Sequence, residues 1–242
     1  MTPDAFMAQL EADGERIAEI AGRDLAADVP PCPGWTVHDA VLHTGSVYSH
    51  KVACMRLGRR PEEGEWQLGP EDGAAVDDWF HRRLHELVGE LQSRPPDASA
   101  FTWYPDDQTV GFWIRRMAQE TAVHRVDVES AFDDITPVDH DLAVDGIDEV
   151  LKLFLIFDEE EAGFAGSGTV AVRTDDKWWR VHLLPDTTTL DEGPGPADAT
   201  VSGDASELLL WLWGRRPDQA VHLEGDEAAT RSLRERLVGA TQ

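Results

Sequence analysis

Basic charge is scarce in this chain, which sets 21 Lys and Arg against 47 Asp and Glu over 242 residues, a formal net charge of −26. A field of that sign repels phosphate backbones and anionic headgroups, so neither nucleic acid nor a membrane surface is an expected partner. The acidity is spread along the chain and reads as a solvated surface. Cysteine is scarcer still. Cys32 and Cys54 have neither CxxC spacing nor the density of a disulfide scaffold, which points to reduced thiols in a cytoplasmic protein. Long apolar runs are missing too: LLLWLW at 208–213 is far too short to span a bilayer. The acidic amino terminus has helical rather than signal-peptide patterning. There is no internal repeat and no low-complexity tract, and the glycines of SGD and EGD read as turns, not phosphate cradles.

What the chain does have is two hydrophobic periods. Residues 4–26 carry Phe6, Leu10, Ile17, Ile20 and Ala21 at helical spacing. After the prolines of VPPCPGW, Thr36 can cap a second helix running to about Leu57, with Asp39 at its third position. Phe80, Leu84, Leu87, Val88 and Leu91 stripe a third helix over 75–93, and a fourth covers roughly 110–132. DLAVDGIDEVLKLFLIF predicts one further helix. Beyond it the period drops to two: GTVAVRTDDKWWRVHLL reads as two strands about a polar turn, and ATVSGD and AVHLEGD as two more. Between them Asp204 can cap a buried helix through LLLWLW. The expected fold is α+β, a four-helix bundle over residues 1–160 followed by a small α/β domain over 161–242. The tryptophans of KWWR and LLLWLWGRR are expected in the core.

The fourth helix poses the functional question. At about 100° per residue, His124, Asp127 and Trp113 all fall within about 40° of Glu120. Arg115, Ala118, Ala122, Arg125 and Glu129 cluster opposite, with the small and charged side chains of an exposed surface. That sends the carboxylate and imidazole inward. A buried carboxylate needs a cation or good hydrogen bonds, and Glu and His four apart suit a metal ion. A facing helix must supply a third ligand, and His43 lies on the core face of the second helix with Ala40, Val47, His50, Cys54 and Leu57. His43, Glu120 and His124 would leave one coordination position open, with Asp127 accepting from a ligand imidazole. An ordinary buried ion-pair network is the competing reading of an ExxxH helix. His81 and His85 have metal-pair spacing but flank the apolar stripe of their helix, as a solvated edge does.

CPGWTVHDAVLH, AQETAVHRVDVESAF and DATVSGDASELLLWLWGRRP followed by VHLEGD resemble the signatures of the mycothiol-dependent maleylpyruvate isomerase family. The resemblance implies a DinB-like metal-binding bundle followed by a sterol-carrier-like domain. It implies His43, Glu120 and His124 as ligands of a divalent metal, with Asp127 beside them, and mycothiol as cosubstrate. It also implies an arginine for the substrate carboxylate, Arg215 by its place after Trp213 and Gly214, with Arg216 its immediate competitor. HTGSVY replaces the HLGGVH of many relatives, so the pocket near Tyr48, and the substrate, are expected to differ.

Zinc suits histidine and carboxylate best, although nickel, iron and manganese accept the same groups. An open position on such a metal can deprotonate a low-molecular-weight thiol for addition to an electrophilic substrate, as an isomerase or a thiol S-transferase. A metal-dependent hydrolase and a non-catalytic stress-response or binding protein are the alternatives. The expected assembly is a monomer or homodimer.

Overall fold

The computed structural model describes residues 1–70, 75–157 and 166–241. They form two compact units, Met1–Thr136 and Pro137–Gln242. The first holds α1 (Pro3–Ala21), α2 (Val37–Leu57), α3 (Val76–Gln92) and α4 (Val110–Ser130). The boundary expected near residue 160 lies outside the described residues. The division falls earlier because the helix at 140–149 packs within the second unit, on the helix at 205–212.

Local chemistry fixes the helix starts. Thr2 accepts from the Ala5 amide with Pro3 as the first helical residue, and Thr109 accepts from Phe112. Thr36 and Asp39 form the anticipated capping box, so two amide donors at the start of α2 are satisfied reciprocally. Gly58 ends α2 in the left-handed region, with φ 65°. Gly45 lets the bundle close: a Cβ there would sit 2.3 Å from the Trp79 ring of α3.

Helix α4 is central, packing chiefly on α1 and also on α2 and α3. The expectation that its far side is exposed does not hold. Ala118 and Ala122 are fully buried, and Arg125 and Glu129 are buried as well. The two alanines give α1 room to approach, and the charges are neutralised in place. The Arg125 guanidinium contacts Asp13 at 2.9 Å and Glu129 at 2.6 Å, while Arg16 of α1 reaches Glu129 at 3.0 Å. Glu129 also accepts from the Thr136 amide. A buried charge is tolerated when it is paired and hydrogen-bonded, as here.

The second unit opens with α5 (His140–Glu149), capped by Asp139, and continues as a π-helical stretch, Val150–Phe157. The single helix expected across this region is therefore two pieces. Five strands follow: β1 (Gly168–Arg173), β2 (Trp178–Leu183), β3 (Thr188–Glu192), β4 (Ala199–Ser202) and β5 (His222–Gly225). They form one sheet in the order β3-β2-β1-β4-β5, antiparallel except for the β1–β4 pair. α6 (Ala205–Leu212), capped by Asp204, lies between the antiparallel neighbours β4 and β5, and α7 (Glu227–Thr241) packs on β1, β2 and β4. Val170, Val172, Trp179, Val181, Leu183 and Val201 alternate into the core. Trp179 and Trp211 are fully buried, as expected of the tryptophan-rich segments. The fold is α+β. Among the described residues no helix is long and apolar enough to cross a membrane.

Candidate metal centre

The first unit brings together the three side chains that the α4 pattern selected. His43 comes from the second turn of α2, and Glu120 and His124 from successive turns of α4. Their potential ligand atoms all lie within 4.8 Å of one another. Glu120 Oε1 is 3.3 Å from His124 Nε2 and 3.6 Å from His43 Nε2. Ligands about 2.0–2.1 Å from one tetrahedral centre stand roughly 3.3–3.4 Å apart, so both separations from Glu120 are close to those zinc would impose. No other His, Cys, Asp and Glu cluster among the described residues meets the same criterion. His81 and His85 stand on the surface beside Glu15, at 3.8 and 3.6 Å.

Each ligand has a partner that orients it. Asp127, fully buried one turn on, lies 3.0 Å from His124 Nδ1, which leaves Nε2 directed at Glu120. Arg116, one turn before, is bonded to the other oxygen of Glu120. Trp35, just ahead of α2, stacks on His124 at a ring separation of 6.3 Å and tilts against His43 at 5.1 Å. His43 is the open side of the cluster, its side chain 41% exposed against 9% for His124.

The electrostatics follow from this arrangement. Burial would raise the Glu120 pKa, but Arg116 and the two imidazoles outweigh it and hold the carboxyl well below its usual range. Burial would lower that of His124, yet Asp127 and Glu120 on either side raise it to about 9. The site thus favours positive charge at His124, and a cation held there would take the place of its Nε2 proton. The donor set fits such an ion.

The sequence model for the mycothiol maleylpyruvate isomerase N-terminal domain matches residues 6–129, and that for the family's C-terminal domain matches residues 141–232. The chain belongs to the mycothiol maleylpyruvate isomerase family. Two solved structures share its fold: the mycothiol-dependent maleylpyruvate isomerase, at a TM-score of 0.62, and a histidine-to-alanine variant of it, at 0.61. Each is 14% identical to the chain, with 93% of this chain and 95% of the other covered. No curated protein sequence matches. The family is one of enzymes.

Other residues singled out in the sequence of this family member lie elsewhere. Tyr48 is fully buried, its hydroxyl 2.6 Å from Thr121 and its ring against Phe80, so it is a core residue of the bundle and not a pocket wall. His50 and Cys54 face each other at 3.6 Å, and Cys32 and Cys54 are both free thiols. Burial, then Lys51 and Arg60, press the His50 pKa down to about 4, which keeps that ring neutral. Arg215 belongs to the second unit, where its guanidinium donates to the Trp213 carbonyl at 2.8 Å; neighbouring Arg216 pairs with Glu207 at 2.8 Å. Arg116 and Trp35 were not anticipated. Arg116 is signalled by its place one turn before Glu120, and Trp35 by its invasion of an otherwise turn-forming CPGW segment.

Proposed function

We propose that this protein is a metal-dependent enzyme that uses mycothiol to attack an electrophilic substrate, acting as an isomerase of the kind its family is named for. The observation that carries the reading is the convergence of His43, Glu120 and His124, with Asp127 behind His124 and the His43 side open. Family membership supports the thiol, and the donor set supports zinc as the metal.

Bound there, a divalent cation would supply Lewis acidity that turns a thiol into thiolate at neutral pH. The chain's residues do the rest. Glu120 brings the negative charge that balances the ion, and Arg116 holds its second oxygen so that one oxygen faces the imidazoles. Asp127 fixes the tautomer of His124 by accepting a hydrogen bond from its Nδ1–H, and Trp35 stacks on the imidazole ring. In the isomerisation, a carbon–sulfur bond forms at one alkene carbon of a cis-enedione acid as the π pair moves onto the conjugated carbonyl oxygen. The former double bond rotates. The pair then returns, the carbon–sulfur bond breaks and the trans product leaves with the thiol regenerated. With a substrate bearing a leaving group the same addition ends in a thioether, which is the S-transferase outcome.

Arg215 is the arginine assigned to a substrate carboxylate, on the strength of the motif. The test is turnover of maleylpyruvate by zinc-loaded protein with and without mycothiol. Thiol-dependent cis-to-trans conversion is the expected result; hydrolysis without thiol would replace this reading with that of a hydrolase.

A further inference from the structure

Of the chain's three lysines, Lys152 and Lys177 are both ion-paired, each reaching Asp148 at 2.9 Å and a Glu192 oxygen. Lys51 is different. It is half-buried on α2, and its ammonium lies 5.5 Å from the centre of the Trp113 ring of α4. Among the described residues it makes no ion pair and no hydrogen bond. In a protein where carboxylates outnumber cations by 47 to 21, a lysine with an aromatic face and no acid is conspicuous. Burial disfavours its charge most, and two other cations, Arg116 and Arg60, disfavour it further. The Trp113 ring and the field of Glu120 offset only part of the cost of a half-buried ammonium, and an anion meeting it would offset more.

The position of Lys51 ties it to the metal centre. It follows His43 by eight residues on α2, about two turns. Trp113 precedes Glu120 by seven on α4, again about two turns. His43 meets Glu120 and Lys51 meets Trp113, so both pairs lie on one seam between antiparallel helices, with Arg116 between them. Helical side chains lean toward the N-terminus of their helix, which tips Lys51 back toward His43. The acidic groups in its field are Glu120, already held by Arg116 and the imidazoles, and the thiol of Cys54, which burial keeps protonated.

We propose that Lys51 is a carboxylate-binding subsite on the α2–α4 seam that anchors an electrophilic substrate with its reactive carbon toward the His43–Glu120–His124 centre. One ammonium over an aromatic face matches a single negative charge on a flat group; a phosphate would call for a larger set of donors. The assignment rests on the function proposed above for that centre.

The test is calorimetric titration of zinc-loaded protein with succinate, a dicarboxylate without an electrophilic carbon, alongside dimethyl succinate and inorganic phosphate. Zinc content is measured in every sample. Succinate is expected to bind, the neutral ester not to, and phosphate to bind more weakly. Lys51→Met and Lys51→Gln should each weaken succinate about tenfold or more, with Lys51→Arg retaining most of the affinity and zinc content unchanged in all three. Equal succinate affinity in either neutral variant that folds, absence of succinate binding to wild type, or phosphate binding as tight as succinate would overturn the proposal. Loss of zinc binding with Lys51-dependent succinate binding intact would instead remove the metal function and leave the subsite standing.

Discussion

His124 and Asp127 are locked together: Nδ1 of the imidazole lies 3.0 Å from a carboxylate oxygen that is wholly shielded from solvent. The pair decides which nitrogen of His124 is offered to a cation, and it makes Asp127 a positioning residue. Asp127→Asn should keep the bundle folded and lower zinc affinity by about ten- to a hundredfold, the usual effect of losing a carboxylate behind a ligand imidazole. Competition with a chromophoric chelator measures it. Unchanged affinity would show that Asp127 serves packing alone.

The charged side of α4 makes a separate prediction about stability. Arg125 is buried between Asp13 and Glu129. Arg125→Met should destabilise the helical unit by about 3 kcal/mol, because buried Glu129 then keeps only Arg16 and Thr136 and the Asp13 contact is lost. Urea unfolding followed by far-UV circular dichroism gives the number.

Acid should act on the second unit through Asp148. Burial opposes its ionisation, but Trp179, Lys177 and Lys152 prevail and lower its pKa from 3.8 to about 2. A carboxyl depressed on folding stabilises the folded state above its unfolded pKa and loses that contribution as pH falls through the folded one. The stabilisation is therefore full above about pH 4 and fades toward pH 2. Asp148→Asn should flatten the stability-versus-pH curve across that window, as read from denaturant midpoints at successive pH values. A curve as steep as wild type would contradict the assignment.

The two adjacent arginines of the second unit should separate kinetically. Arg216 is committed to Glu207, and Arg215, the arginine of the motif, donates to the Trp213 carbonyl at 2.8 Å. Arg215→Met is expected to raise the KM for a carboxylate-bearing substrate about tenfold or more, the effect of losing a charge-assisted hydrogen bond, and Arg216→Met to leave KM within about twofold. Steady-state kinetics at saturating thiol distinguish them.

Much of this was legible in the residues. Thr36 and Asp39 announced the start of α2 because a capping box is local chemistry, and Glu120 and His124 stood out because a polar pair on a core face demands an explanation. The opposite face of α4 was misjudged because a helical wheel shows which residues share a side, not how many neighbours surround the helix. Ala118 reads the same against solvent as against α1. Strand β3 went unseen since Thr188–Glu192 has one apolar residue and lies at the sheet edge, where alternation is not enforced by two buried faces. The change to π-helix at Val150 is invisible in VLKLFLIF, whose apolar residues satisfy either helical geometry. The setting of Lys51 is not legible in the sequence, because its contact with Trp113 joins two helices.

The central claim is that His43, Glu120 and His124 hold one divalent ion together. Elemental analysis of purified wild type beside His124→Ala, after equal exposure to zinc and gel filtration, tests it most directly. One equivalent of zinc in the wild type and a small fraction of that in the variant is the result predicted here; equal zinc in both would contradict it.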